Sequence, residues 1–203
     1  MIKLVDEVHF IGKGSHKKCY VNPDNQKQCI KVPYTKLGEK DLKRELDYIK
    51  VMRRKNKDYT VLPYYYGSVE TNLGIGHVYE LITDFDGSQS KTLEDYCKDD
   101  QLLEENLDLL VALLKNLKQT LLDNEIITMG IWPENIIVQY GGANSSDYRL
   151  RVINDMGSAN LIPLEYYFSF FAKKKINKRW IRFIGTLRQF YGTQMVNKLA
   201  DRI

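Results

Sequence analysis

The chain lacks a long hydrophobic run, a paired cysteine motif and a histidine cluster. No stretch approaches the roughly 18 consecutive apolar residues of a membrane-spanning helix, and residues 1–7 lack the apolar core of a signal peptide. The three cysteines, Cys19, Cys29 and Cys97, have no metal-ligand spacing, and the three histidines are scattered. We therefore expect a cytoplasmic protein with reduced thiols and no zinc site. Cys19 and Cys29 fall on predicted neighbouring strands, so a disulfide between them is the alternative.

A strong excess of charge of either sign is also missing. The chain has 30 lysines and arginines against 26 acidic residues, which gives a net charge of +4. This balance predicts no specific nucleic-acid binding. With 203 residues, 43% of them hydrophobic, the chain is long enough to bury a sizeable core in one domain or in two small lobes.

Two short apolar runs each carry an oxygen-bearing side chain at one edge. The pattern predicts strands over residues 136–140 and 149–153, joined by the turn-forming residues 141–147. In such an antiparallel hairpin, Asn135 precedes the first strand, Asp155 follows the second, and the two meet at the open end. One carboxylate and one amide oxygen suit Mg²⁺, which takes few protein ligands. The alternative is an ordinary hairpin with polar ends.

A glycine-rich turn near the N-terminus precedes a strand that contains a lysine. Gly12, Gly14 and Ser15 lie between strand-like residues, and residues 28–32 form a short apolar strand with Lys31 inside it. The backbone of such a turn can approach phosphate oxygens closely, and a nearby ammonium supplies the opposite charge. A glycine pair alone usually marks only a hairpin. A lysine in an apolar strand, however, needs a partner, because an unpaired buried charge is costly.

A helix predicted over residues 41–55 offers a partner for that lysine. Its apolar positions follow helical spacing: Leu42, Leu46, Ile49 and Met52. Glu45 lies on the same face, so we expect it to pair with Lys31. The alternative is a glutamate at the edge of the apolar stripe that is solvated or paired with Lys43 or Arg44.

The order of these motifs resembles the protein-kinase-like fold. A glycine-rich loop is followed by a strand lysine, a helix glutamate, a hinge-like strand over residues 77–82, a catalytic-loop asparagine and a metal-binding Asp-x-Gly. The resemblance implies an α+β, two-lobed fold. Residues 1–83 would form a small mixed β-sheet lobe with one helix, and residues 84–203 a reduced, mainly helical lobe.

The same resemblance implies the cofactors ATP and Mg²⁺ and assigns roles to particular residues. The catalytic set would be Lys31, Glu45, Asn135 and Asp155, and the metal would lie on Asn135 and Asp155. The nucleotide would contact Gly12, Gly14, Ser15, Lys31, Glu80, Leu81 and Ile82, the last three through backbone groups that face the adenine.

More narrowly, the chain resembles the small bacterial YrbL family, described as PhoP-regulated network proteins. The segments that carry this resemblance are residues 79–82, 84–87, 133–136 and 179–183, together with a similar chain length. No substrate can be carried over from this resemblance.

The chain also departs from the kinase pattern. Aligned on Asn135, the catalytic aspartate of the kinase His-Arg-Asp motif falls on Gly130, which cannot accept a proton. Lys17 replaces the third loop glycine, and Met156 replaces the phenylalanine of Asp-Phe-Gly. No Ala-Pro-Glu motif follows Asp155, which points away from large protein substrates.

We therefore expect a phosphotransferase with a degenerate catalytic loop that acts on a small molecule, a sugar or a lipopolysaccharide-type acceptor. Three alternatives remain open. The first is a pseudokinase that acts as a nucleotide-gated binding module. The second is a nucleotidyl (AMP) transferase, and the third is a membrane-surface protein that keeps the fold as a scaffold.

Two helices are predicted in the second half of the chain. Leucines at alternating steps of four and three over residues 103–121 predict an amphipathic core helix. Residues 173–188 combine seven lysines and arginines with apolar residues at helical spacing. This second pattern is typical of a docked helix with a solvated basic face. The alternative is a surface for an anionic membrane, lipopolysaccharide or a phosphorylated substrate.

Overall fold

The N-terminal half forms one antiparallel sheet with a single helix. The computed structural model describes Lys3 and residues 5–55, 57–142 and 147–203. Within them, the sheet has the strand order β1-β2-β3-β5-β4. Its strands are β1 (Phe10–Lys13), β2 (Lys17–Asn22), β3 (Asn25–Pro33), β4 (Tyr65–Thr71) and β5 (Gly74–Glu80). Helix α1 (Lys36–Lys55) connects β3 to β4.

Helix α1 begins five residues before the predicted start at residue 41. The hydroxyl of Thr35 accepts a hydrogen bond from the Gly38 N–H at 3.0 Å and so satisfies one of the free donors of the first turn. The predicted inward face is confirmed for Leu42, Ile49 and Met52, which are buried together with Glu45, while Leu46 is half-buried and packs against the core.

The C-terminal half is mainly helical and contains a small antiparallel sheet of strand order β6-β7-β8. Its strands are β6 (Lys91–Thr92), β7 (Ile136–Tyr140) and β8 (Tyr148–Val152). Its helices are α2 (Leu93–Cys97), α3 (Asp100–Glu105), α4 (Leu107–Asp123), α5 (Ser169–Tyr191) and α6 (Gln194–Asp201). None of the helices in the described ranges is long and apolar enough to cross a membrane.

The single helix predicted over residues 103–121 is wrong, because the structure divides it at Asn106 into α3 and α4. Asn106 has backbone angles of −115° and 10°, outside the helical range. Its side-chain amide donates to the Leu102 carbonyl at 2.9 Å, which is a local alternative to continuing the helix.

The predicted hairpin is confirmed as β7 and β8, whose register runs from Ile136 opposite Val152 to Tyr140 opposite Tyr148. Residues 143–146 of the predicted turn lie outside the described residues. At the open end, the Ile153 N–H donates to the Asn135 carbonyl at 3.0 Å, so the chain segments that carry Asn135 and Asp155 lie side by side.

One large hydrophobic core joins the two halves. It includes the leucines on the inner face of α4, the buried face of α5 around Trp180 and Phe183, and Met52 and Tyr79 from the N-terminal half. The predicted α+β architecture, a sheet half with one helix followed by a mainly helical half, is confirmed, and the apolar face of α5 packs into this core. The lobe boundary at residues 83 and 84 stays a prediction.

A buried ion pair links the end of β5 to strand β8. The Arg151 guanidinium is 2.6 Å from Glu80 Oε2 and also donates to the Leu62 carbonyl at 3.1 Å and to Gln139 Oε1 at 3.2 Å. The Arg151 side chain is 4% exposed and that of Glu80 is 30% exposed. Removing the arginine would leave a carboxylate that is only partly solvated.

We expect Arg151→Met to lower the free energy of unfolding by about 2–3 kcal/mol. Breaking a fully buried pair costs roughly 3–5 kcal/mol, and the partial exposure of Glu80 reduces that cost. Urea unfolding followed by circular dichroism measures the change. Arg54→Met is the matched control, because Arg54 is exposed on α1, and it should change the value by less than about 0.5 kcal/mol. Equal effects of the two substitutions would contradict a structural role of the pair.

Candidate functional site

A cleft of about 830 Å³ is lined by residues of both halves, a volume within the usual range of ligand pockets. All the site residues predicted from the sequence line this cleft except Glu45. It is also lined by residues that the sequence reasoning had not placed in the site, namely Lys13, Asp41, Trp132, Glu134 and Asn154. The cleft is therefore where the predicted site residues come together.

The ammonium of Lys31 lies in the cleft and has only neutral hydrogen-bond partners. It donates to the Ile153 carbonyl at 2.6 Å and to Asn154 Oδ1 at 2.9 Å. It also lies 4.8 Å from the ring centroid of Tyr79, within cation–π distance. The residue is 6% exposed. Among the described residues, no carboxylate comes within 4 Å of this buried charge.

The predicted ion pair between Lys31 and Glu45 is wrong. Glu45 is 1% exposed and pairs with Lys17 at 3.1 Å. Lys17 opens strand β2 opposite the end of β3, so the sheet brings a second lysine to the buried face of α1. Burial alone would raise the pKa of Glu45, but the charges of Lys17 and Lys31 outweigh it and hold the pKa below its ordinary value. Lys31 therefore acts on Glu45 through its charge without a direct bond.

Three side chains at the open end of the hairpin form a hydrogen-bonded chain. Asn154 Nδ2 donates to Asn135 Oδ1 at 3.0 Å, and Asn135 Nδ2 donates to Asp155 Oδ2 at 3.2 Å. Burial raises the pKa of the Asp155 carboxyl, and the charge of Lys17 opposes this shift. These hydrogen bonds thus connect Lys31, through Asn154 and Asn135, to Asp155.

The backbone around Asp155 adopts a sparsely populated conformation. Asp155 has φ of +61°, a region that aspartate tolerates better than most residues, and its carbonyl accepts from the Met129 N–H at 2.6 Å. Gly157 has φ of +93°, and a Cβ there would press against Tyr166 and Tyr48. These constraints hold the carboxylate at the cleft while Met156 packs into the core.

The residues at the hairpin end fit Mg²⁺ with one rearrangement. Among the described residues, no group of three or more histidine, cysteine, aspartate or glutamate side chains is placed to hold a metal. Mg²⁺, however, is satisfied by one or two protein oxygens together with water and phosphate. Asn135 presents its nitrogen to Asp155, so its amide must turn for Oδ1 to join the carboxylate. That turn gives up the hydrogen bond from Asn154.

The backbone at the end of β5 offers fewer free groups than predicted. The Glu80 N–H donates to the Tyr64 carbonyl at 2.8 Å, and the Leu81 N–H donates to the Lys27 carbonyl at 3.0 Å. The Ile82 N–H donates to no other residue in the described part of the chain. Ile82 is therefore the position of this segment that keeps a free donor for a ligand.

The glycine-rich loop is held from outside the cleft. Gly14 N–H donates to the Lys17 carbonyl at 2.9 Å, and the Tyr34 hydroxyl shares its one proton between the carbonyls of Gly14 and Ser15, at 2.8 Å and 2.6 Å. A Cβ at Gly12 would meet no atom within 4 Å, so this glycine leaves open space in the lining. These contacts fix the loop along the edge of the cleft.

Trp132 occupies the space beside Gly130. A Cβ at Gly130 would overlap with the indole nitrogen of Trp132, so an aspartate cannot be placed there unless the indole moves. The sequence shows the missing aspartate, but it does not show what fills its place. Two other carboxylates, Asp41 and Glu134, line the cleft.

Comparison with solved structures finds a distant similarity. The chain is similar to the crystal structure of the BubR1 kinase domain, with a TM-score of 0.47 and 16% identity. The match covers 75% of this chain and 47% of that one, so the chain spans about half the length of that kinase domain.

Comparison with protein sequences gives a closer relationship. The chain is 38% identical over 187 residues to the uncharacterised protein YrbL of Escherichia coli (strain K12), which covers 91% of this chain and 87% of the relative. The YrbL protein of Shigella flexneri has the same identity and coverage. Residues 2–188 match the family described as "PhoP regulatory network protein YrbL". The chain therefore belongs to the YrbL family of PhoP regulatory network proteins.

Proposed function

We propose that this protein binds ATP with Mg²⁺ in the cleft and is a slow phosphotransferase for a small hydroxyl-bearing acceptor. The observation that carries the proposal is the Lys31 ammonium, which is buried at the cleft with no carboxylate partner within 4 Å among the described residues. A desolvated cation with only neutral partners is costly, so an anionic ligand in the cleft stabilises it. Phosphate oxygens meet that requirement.

Each part of the cleft then has a role in nucleotide binding. The Ile82 N–H faces the base, the loop at Gly12, Gly14 and Ser15 covers the phosphates, and Lys31 binds a phosphate oxygen. Asp155, with Asn135 turned toward it, would hold Mg²⁺, and the metal would supply positive charge against the transferred group. When Asn135 turns, Asn154 loses its acceptor, and Lys31 is then free to exchange Asn154 for the nucleotide.

Trp132 and Glu134 both line the cleft, and we place the acceptor against them. An indole face and a carboxylate suit a small hydroxyl-bearing molecule such as a sugar, which has apolar C–H faces and hydrogen-bond donors. Glu134 offers a proton acceptor two residues beyond the indole that fills the space beside Gly130. We assign it no catalytic role, since a general base must come within hydrogen-bond reach of the acceptor hydroxyl.

A second candidate function is a nucleotide-gated binding module without transfer. The observation that favours it is the replacement of the catalytic aspartate by Gly130 with the Trp132 indole beside it. A general base contributes about 10²–10⁴-fold to the rate, so its loss leaves only positioning and charge neutralisation. The two functions share nucleotide binding and differ in turnover.

Asp155→Ala should weaken binding of ATP with Mg²⁺ by about 5- to 150-fold. This range corresponds to roughly 1–3 kcal/mol for a lost charged partner. Isothermal titration calorimetry measures it, with and without Mg²⁺, and the loss should be confined to the titration with the metal. Asp86→Ala, at an exposed carboxylate in a turn, is the matched control. Unchanged affinity of the Asp155 variant would refute the metal assignment.

Four proteins separate slow transfer from binding alone: the wild type, Gly130→Asp, Trp132→Ala and the double variant. Gly130→Asp alone should give no gain, because its side chain meets the indole. The double variant should consume ATP faster than Trp132→Ala, by up to about 10²–10⁴-fold, because a base then has room. ADP formation is the readout, because it reports transfer both to an acceptor and to water, with folding checked by circular dichroism. If no protein turns over while all bind nucleotide, the binding-module function is favoured.

A further inference from the structure

The segment that runs from the turn after Asp155 into the first turn of helix α5 carries a cluster of exposed apolar side chains. We call it the apolar platform and define it as Leu161, Ile162, Tyr167, Phe168, Phe170 and Phe171. Leu161 is 99% exposed, Tyr167 72% and Phe170 70%. The three phenylalanine rings touch, with centroids 5.5 Å apart for Phe170 and Phe171 and 6.1 Å for Phe168 and Phe171. Single exposed apolar residues are ordinary, but a cluster of this kind marks an interaction surface.

Buried contacts hold the platform in place. The Glu165 carboxylate is buried and bonded by Lys175 and Ser158, and Asn160 donates to it at 3.1 Å. The Tyr166 hydroxyl accepts from the Ser158 N–H at 2.6 Å, and its ring packs on Tyr48. Ser158, Glu165 and Tyr166 thus face inward, while the platform side chains face outward. The exposure is a property of the folded segment.

Helix α5, whose first turn carries Phe170 and Phe171 of the platform, contains seven lysines and arginines and no acidic residue. Two of these cations are engaged, Lys175 with Glu165 and Arg188 with Asp201. The other five have no ion pair within 4 Å among the described residues: Lys173, Lys174, Lys178, Arg179 and Arg182. Glu125, which also borders this region through Ser169, is already paired with Lys55 and Lys57. The surface is therefore both apolar and positively charged.

The charge and the polarity of this surface together indicate which kind of partner binds to it. A second copy of this chain, with its net charge of +4, would bring the same cations against themselves. A nucleic acid would neutralise the lysines but leave Leu161 and Ile162 in water. An anionic bilayer offers lipid phosphates for the cations and an apolar interior for the aromatic and aliphatic side chains.

We propose that the apolar platform and the free cations of α5 form a docking surface for anionic phospholipid membranes. The platform side chains enter the headgroup region, where aromatic rings are favoured, and Lys173, Lys174 and Lys178 lie against the lipid phosphates. On α5, Phe170, Lys174 and Lys178 are spaced four residues apart and share one exposed face, so both contacts are made by the same side of the helix. The proposal does not depend on nucleotide binding.

Co-sedimentation of the full chain with vesicles tests the proposal. The wild type should bind vesicles of phosphatidylglycerol and phosphatidylcholine and should not bind phosphatidylcholine alone. Phe168→Ser/Phe170→Ser should lower the binding at least about tenfold, because the buried apolar area is lost. Lys173→Gln/Lys174→Gln should lower it by roughly tenfold or more, and added salt should weaken wild-type binding.

Two control variants match these substitutions on the other half of the molecule. Ile75→Ser removes an exposed apolar side chain from β5, and Lys40→Gln/Lys43→Gln removes two exposed charges from α1. Both should bind like the wild type, with folding of all variants checked by thermal unfolding. Absence of wild-type binding to the anionic vesicles overturns the proposal. Equal binding by the platform variant and the wild type also overturns it, because charge alone would then explain the attachment.

Discussion

The buried ammonium of Lys31 is the interaction on which the arrangement of the cleft depends. It ties a central strand of the N-terminal sheet to the Ile153 carbonyl and to Asn154, immediately before Asp155. The N-terminal sheet and the segment at Ile153 and Asn154 are therefore held together by a charge that has only neutral partners. A buried cation with only neutral partners would be better stabilised by an anion, and on this contact the proposed binding of a phosphate depends.

Much of the fold could be predicted from local patterns. The β7–β8 hairpin follows from two apolar runs with a turn between them, and the buried face of α1 follows from its spacing. The boundaries were less predictable, because each depends on one side chain. Thr35 caps α1 earlier than its apolar pattern begins, and Asn106 interrupts a leucine repeat that continues on both sides of it.

The candidate site could be predicted where it depends on sequence order and not where it depends on packing. The turn glycines, Lys31 and Asp155 are marked by their neighbours in the chain. The pairing of Glu45 with Lys17 arises only when β2 is placed beside β3, and the overlap of Trp132 with the space beside Gly130 needs the folded loop. Asn154 could have been considered from the sequence, since it adjoins Asp155 and carries an amide.

The most direct measurement is a crystal structure with a non-hydrolysable ATP analogue and Mn²⁺ in place of Mg²⁺, located by its anomalous signal. We predict the metal between Asp155 and a turned Asn135 amide, a phosphate oxygen on Lys31, and Asn154 released from Lys31. A nucleotide bound with Lys31 still on Asn154 and no metal at Asp155 would contradict the account. So would a cleft that stays empty at saturating nucleotide.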